Sequence, residues 1–130
     1  MTRTRLGNWE QALHQVLDRI DDHLEKKYGH MYPLRANRPS RGVTANSKYD
    51  GLFSVEAKFS LGLVSRQGPG YLVDVRMSTF SQVPEDVRQN IQDDAEDILL
   101  EELPRAFPDR KLTITRQGDN YHIQGDLGLD

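Results

Sequence analysis

An α+β two-layer sandwich, an antiparallel four-stranded sheet with two helices on one face, is the fold this 130-residue sequence predicts. Three observations carry it. A period of two runs through residues 52–80, broken once by turn residues Gln67, Gly68, Pro69 and Gly70. Two longer segments flanking that stretch place apolar residues at intervals of three and four. A shorter alternation ends the chain, turning at Gly118 and Asp119. A period of two marks half-buried strands and a period near 3.6 marks amphipathic helices, so the order is α-β-β-α-β-β. Both helices need one sheet to cover their apolar stripes, which gives two layers.

The elements follow in order within residues 1–130, read as a single domain. Residues 1–7 read as a frayed tail. Asn8 stands as an N-cap with Gln11 three residues on, a capping-box spacing. Trp9, Leu13, Val16, Leu17, Ile20, Leu24 and Tyr28 then form one stripe,. Lys26 and Lys27 suit the negative end of the helix dipole, and Gly29 is the expected C′ residue.

From His30 to Asp50 no period survives. Pro33 and Pro39 exclude regular helix, and a short strand at residues 42–45 is the one regular element the pattern allows,. A connection of this length is generally functional, disordered or hiding structure.

The first hairpin sets Phe53, Val55, Ala57, Phe59, Leu61 and Leu63 on one face, with Tyr71, Val73, Val75 and Met77 returning. Its polar face offers the cross-strand pairs Lys58–Asp74 and Glu56–Arg76. Pro84 followed by Glu85 and Asp86 starts the second helix. Val87, Ile91, Ala95, Ile98, Leu99 and Leu103 are its stripe, and Pro104 is expected to stop it. Asp93, Asp94, Glu96, Asp97, Glu101 and Glu102 cover its outside. In the last hairpin, Arg116 opposite Tyr121 sets Ile114 opposite Ile123, so the apolar faces agree. Slotting the fourth strand between the second and third makes a split β-α-β, a ferredoxin-like sheet whose first strand has moved to the chain's end; the alternative is two hairpins meeting differently, the first lengthened by a strand from residues 30–50. That superfold hosts many functions, so it names none.

Composition bounds function by exclusion. Without cysteine there is no disulfide, thiolate catalysis or Cys-ligated metal,. Mean hydropathy is −0.71 and no stretch approaches the ~20 apolar residues of a membrane span, so a cytoplasmic protein is expected,. No signal peptide is read in the basic start, which lacks an apolar run behind it. The net charge of −3 divides unevenly. Residues 1–80 hold 12 Lys/Arg and 8 Asp/Glu, a net of +4, whereas residues 81–130 hold 5 and 12, a net of −7.

The basic connection is the leading site. Arg35, Arg38 and Arg41 recur every three residues, with Asn46, Lys48 and Tyr49 behind them and no acid until Asp50. Guanidinium forks suit phosphate or carboxylate, so an anionic ligand or protein partner is expected there. Four positive charges are few for a phosphate-backbone footprint, and the chain is acidic overall, which disfavours nucleic acid. The alternative is an enzyme on an anionic small molecule, with Tyr49, Asp50 or His30 moving protons. A third reading is an assembly subunit or homodimer using the acidic helix and sheet edges. His14, Asp18, Asp22 and Glu25 share one helix edge but lack a His-Glu-x-x-His spacing, and no metal or other cofactor is expected. No nucleophile motif or phosphate loop is present.

Overall fold

Alternation becomes a sheet whose inner face is built from odd-numbered residues of its first two strands. The computed structural model describes residues 5–60, 70–108 and 110–125. Its elements are α1 (Arg5–Tyr28), a single 3-10 turn (Ser47–Tyr49), β1 (Phe53–Ser60), β2 (Gly70–Met77), α2 (Glu85–Ala106), β3 (Leu112–Gln117) and β4 (Asn120–Gly125). The sheet order is β1-β2-β4-β3 with every neighbouring pair antiparallel, so β4 does fill the gap between β2 and β3. The hairpin turn residues Gln67, Gly68 and Pro69, and Leu61 and Leu63, lie outside the described residues.

Register fixes which side chains meet. Val55 opposes Val75, Ala57 opposes Val73 and Phe59 opposes Tyr71. Tyr71 and Val73 in turn face Ile123 and Tyr121, and Ile114 faces Ile123 on the far side. A slip of one residue would turn this whole apolar set outward, so burial itself holds the register. Trp9, Leu13, Val16, Leu17, Ile20, Leu24 and Tyr28 from α1 are all buried, and so are Ile91, Ala95, Leu99 and Leu103 from α2. Each fully buried large apolar side chain contributes about 1.5–3 kcal/mol, so this one core dominates the fold's stability. Tyr121, in its centre, donates its hydroxyl to the Gln92 carbonyl at 2.6 Å and thereby ties β4 to α2.

Four expectations need correction. α1 begins at Arg5, so Asn8 lies inside the helix and residues 5–7 are helical; residues 1–4 lie outside the described residues. Gly29 follows the helix as expected but without a left-handed backbone. It is small because a Cβ there would stand 2.3 Å from the Glu25 carbonyl. Pro104 does not stop α2, which continues to Ala106 and is closed by the Phe107 N–H donating to the Leu103 carbonyl at 2.9 Å. The carbonyl deprived of a donor by Pro104 belongs to Leu100, an exposed residue,. Finally, Glu56 stands opposite Asp74, so Lys58–Asp74 and Glu56–Arg76 are only diagonal. The two opposed carboxylates each take a nearby cation instead: Lys48 lies 3.5 Å from Glu56, and Arg76 lies 3.9 Å from Asp74.

The outside of α2 is less bare than its composition implies. Asp94 receives Lys27 at 2.8 Å and the Tyr28 hydroxyl at 2.5 Å. Asp93 pairs with Arg116 at 2.6 Å, Glu101 with Arg105 at 3.2 Å, and Glu102 with Arg19. Among the described residues, no helix is long and apolar enough to cross a membrane.

Candidate functional site

Residues 30–50 contain no strand; turns and the single 3-10 turn order them instead. A polar loop stays ordered only when its backbone groups find partners, and here side chains supply them. The Arg38 guanidinium donates to the carbonyls of Gly51 at 3.0 Å, Lys48 at 3.1 Å and Asp50 at 3.0 Å. One oxygen of Asp50 accepts from the N–H groups of Gly42 (3.2 Å) and Thr44 (3.0 Å) and from the Thr44 hydroxyl (2.9 Å). Asn46 caps the 3-10 turn, its side chain accepting from the Lys48 N–H at 2.9 Å.

Arg41 is the hub of this assembly. It forms an ion pair with Asp21, lies 2.9 Å from Glu25 and 3.3 Å from Asp50, and so joins the loop to α1. Glu25 also accepts from the backbone N–H groups of Leu52 (3.0 Å) and Phe53 (3.2 Å), fixing where β1 begins. One cation thus serves three carboxylates, two of which, Asp21 and Asp50, are almost fully buried. The imbalance falls on Asp21. Burial pushes its carboxyl up to about 7, against the lowering pull of Arg41, and nearby Glu25 adds to the rise. Asp50 goes the other way. Burial alone would raise it, but the Thr44 hydroxyl and N–H, Arg41 and the Gly42 N–H together hold it below the usual carboxylate range.

Gly51 makes this approach of loop and helix feasible. Its φ is +74°, and a Cβ would stand 2.5 Å from a Glu25 carboxylate oxygen and 2.9 Å from Arg41 Nε. Gly51→Ala is therefore expected to cost about 2–3 kcal/mol from left-handed strain plus displacement of Glu25. Urea unfolding checks it; a loss below ~0.5 kcal/mol would mean that the contact gives way freely.

The residues singled out in the sequence therefore separate. Arg38 and Arg41 are engaged in holding the loop, and Asp50 lies among the same contacts. Tyr49 is exposed, with the Lys48 ammonium 5.6 Å from its ring, and His30 is exposed just beyond α1. Asn46 and Lys48 border an open cavity of about 520 Å³ between α1 and β1, where carboxylates Glu10, Asp18 and Glu56 outnumber the lysines Lys48 and Lys58. Arg35 alone turns elsewhere. Its N–H donates to the Ser78 carbonyl at 2.9 Å, and its guanidinium lies 4.8 Å from the ring of exposed Phe80.

That contact sets Arg35 at the rim of a second cavity, about 500 Å³, which also receives Arg76 from β2 and Arg88 from α2. Val75, Met77 and Ile91 supply its apolar lining, and Gln82 and Gln92 add amides. Two carboxylates, Asp74 and Asp119, temper the three arginines; Arg76 lies 3.9 Å from Asp74 and Arg88 reaches Asp119 at 3.1 Å. Arg88 did not stand out in the sequence, and Arg76 did so only as a cross-strand partner for Glu56, because each sits alone in its own element. Among the described residues, no group of three or more His, Asp or Glu side chains is disposed to hold a metal ion.

No solved structure matches the chain. A protein of Borreliella burgdorferi described as uncharacterised is 34% identical over 125 residues, covering 96% of this chain and 98% of that protein. A family model, likewise described as an uncharacterised protein, matches residues 4–125, so the α1 helix, the loop latch and the arginine-rimmed cavity all fall within it. The chain belongs to that family of uncharacterised proteins.

Proposed function

We propose that this protein is a non-catalytic binding module that takes an anionic ligand or partner in the cavity rimmed by Arg35, Arg76 and Arg88. The supporting observation is that arginines from three separate elements, Arg35, Arg76 and Arg88, line one partly apolar concavity. A cavity with convergent polar groups over an apolar lining is the usual form of a ligand site. Arginine's planar fork favours carboxylate or phosphate oxygens. Arg76 and Arg88 are half-exposed or more, so they can turn toward a ligand without unmaking the core. Within the basic loop, Arg35 contributes to this site while Arg38 and Arg41 hold the loop that carries it.

Catalysis has less support. Asp50 is held ionised among donors that already saturate one of its oxygens, a poor start for a general base,. Assembly through α2 is weakened by the intramolecular cations that already meet most of its acids.

Thermal unfolding with inorganic phosphate, succinate and a nucleotide series tests the reading. A ligand at a hundred times its dissociation constant raises stability by about 2.7 kcal/mol, a shift of several degrees. The expected result is a shift in the parent that disappears in the Arg35→Gln, Arg76→Gln, Arg88→Gln triple variant. A shift that survives intact in that variant moves the anion elsewhere and overturns the assignment.

A further inference from the structure

The cavity borders an unfinished sheet edge. β2 pairs with β1 along its whole length, but its ladder with β4 ends at the pair Asp74↔Asn120. Among the described residues, Val75, Arg76 and Met77 therefore have no strand beside them on the β4 side. The direction of their backbone groups follows from the ladder. The Ser78 N–H donates to the Leu52 carbonyl, so the even-numbered residues of β2 bond to β1. In an antiparallel ladder the intervening residues point their N–H and C=O groups the other way. Val75 and Met77 consequently aim donors and acceptors past the end of β4. Asp74, Val75, Arg76 and Met77 all line the cavity, and four consecutive strand residues can do so only where the cavity meets the strand's edge rather than one face.

Resting on the binding site proposed above, we infer that its occupant is the extended C-terminal segment of another protein, added to β2 as a short antiparallel strand in line with β4. An open strand edge is a template for such addition, with main-chain bonds giving affinity. The direction follows from charge. A strand antiparallel to β2 on this edge runs from Met77 toward Asp74, where β4 occupies the ladder and blocks further pairing. A chain arriving there must leave the ladder or end. Arg88, held beside Asp119 in the turn that precedes β4, stands at that stop and offers a fork to a terminal carboxylate. Met77 and Val83, only half-buried, give the cavity an accessible apolar wall for a ligand side chain, and Arg35 and Arg76 favour acidic residues upstream.

The test is selection of the full chain against a hexapeptide library displayed with free C-termini. Selected peptides are then measured by fluorescence polarisation in free-acid and amidated forms. Binding is expected to fall at least tenfold on amidation and similarly for Arg88→Gln, with the backbone amides of Val75 and Met77 shifting on titration in heteronuclear NMR spectra. Because Arg88 is half-exposed its variant should fold, and Arg35→Gln gives a second, milder loss of affinity. No enriched peptide, or equal affinity after amidation, overturns the strand-addition proposal. If phosphate or succinate still stabilises the parent through the three arginines, the anion-binding reading survives that failure. Silence toward both anions and peptides sinks both.

Discussion

Replacing Arg41 by alanine is expected to destabilise the protein by about 3–5 kcal/mol, because it leaves carboxylates behind without their cation. An exposed pair of the same geometry would matter far less, roughly 0–1 kcal/mol. What separates the cases is burial of the partners: Asp21 is 2% exposed and Asp50 1%, while the Arg41 side chain keeps 25%. Glu25 is also tied to the N–H groups that start β1, so relaxing it disturbs the strand as well as the loop. For a chain of this size the loss corresponds to a fall in Tm of more than about 10 °C. Adding Asp21→Asn to the Arg41→Ala variant should recover part of it, since the most deeply buried charge is then absent. A fall of only a degree or two in Arg41→Ala would mean that water reaches the cluster well enough to replace the guanidinium. Phosphate stabilisation through the Arg35, Arg76 and Arg88 cavity should persist in this variant, provided measurements are made below its lowered Tm.

What the sequence made legible is what repeats. The stripes of α1 and α2, the pairing of β1 with β2 and the register of Ile114 against Ile123 all follow from local periods of 3.6 and 2, and the structure contains each of them. The position of β4 was legible only in part: a two-residue turn ties it to β3 and permits the place between β2 and β3 that it occupies, but two hairpins can also meet in other orders. Residues 30–50 were not, since their order comes from single contacts across long separations. Arg41 reaches back 20 residues to Asp21, and Glu25 reaches forward 27 residues to Leu52. No window sees such pairs, so the arginines read as charges facing outward when two of the three face the fold. One signal was present for Asp21. It falls in the stripe Leu17, Ile20, Leu24, Tyr28, where a carboxylate has no water and must have a partner,. The cavity was hidden for the same reason as the loop contacts, as Arg76 and Arg88 come from elements that border one concavity only in the folded chain.

The same carboxylate should write itself into the pH dependence of stability. Asp21 is raised from 3.8 to about 7 in the folded protein, chiefly by burial. Below the unfolded value both states hold the proton. Between about 4 and 7 the folded state keeps a proton that the unfolded state has released, so the contribution of Asp21 to stability declines as pH rises and levels off above 7,. Asp50 and Asp94 have folded values lowered from 3.8, so what they contribute is lost only on acidification below that value, in a separate window. Comparing the parent with Asp21→Asn isolates the first effect. Asparagine holds no proton to release, so whatever its cost at pH 5, the variant should gain on the parent by roughly 2–3 kcal/mol between pH 5 and pH 8. Urea unfolding at the two pH values measures it. Parallel curves would mean that Arg41 keeps Asp21 ionised throughout, with attraction to the guanidinium outweighing the cost of burial. Converging curves would mean that the latch holding the loop closed is strongest when Asp21 is neutral, since one guanidinium then answers two charges instead of three. Acidification from pH 8 to pH 5 should therefore tighten the segment that carries Arg35 to its cavity, and amide exchange at Gly42 and Thr44, whose N–H groups bond to Asp50, should slow over that range by more than the intrinsic pH effect.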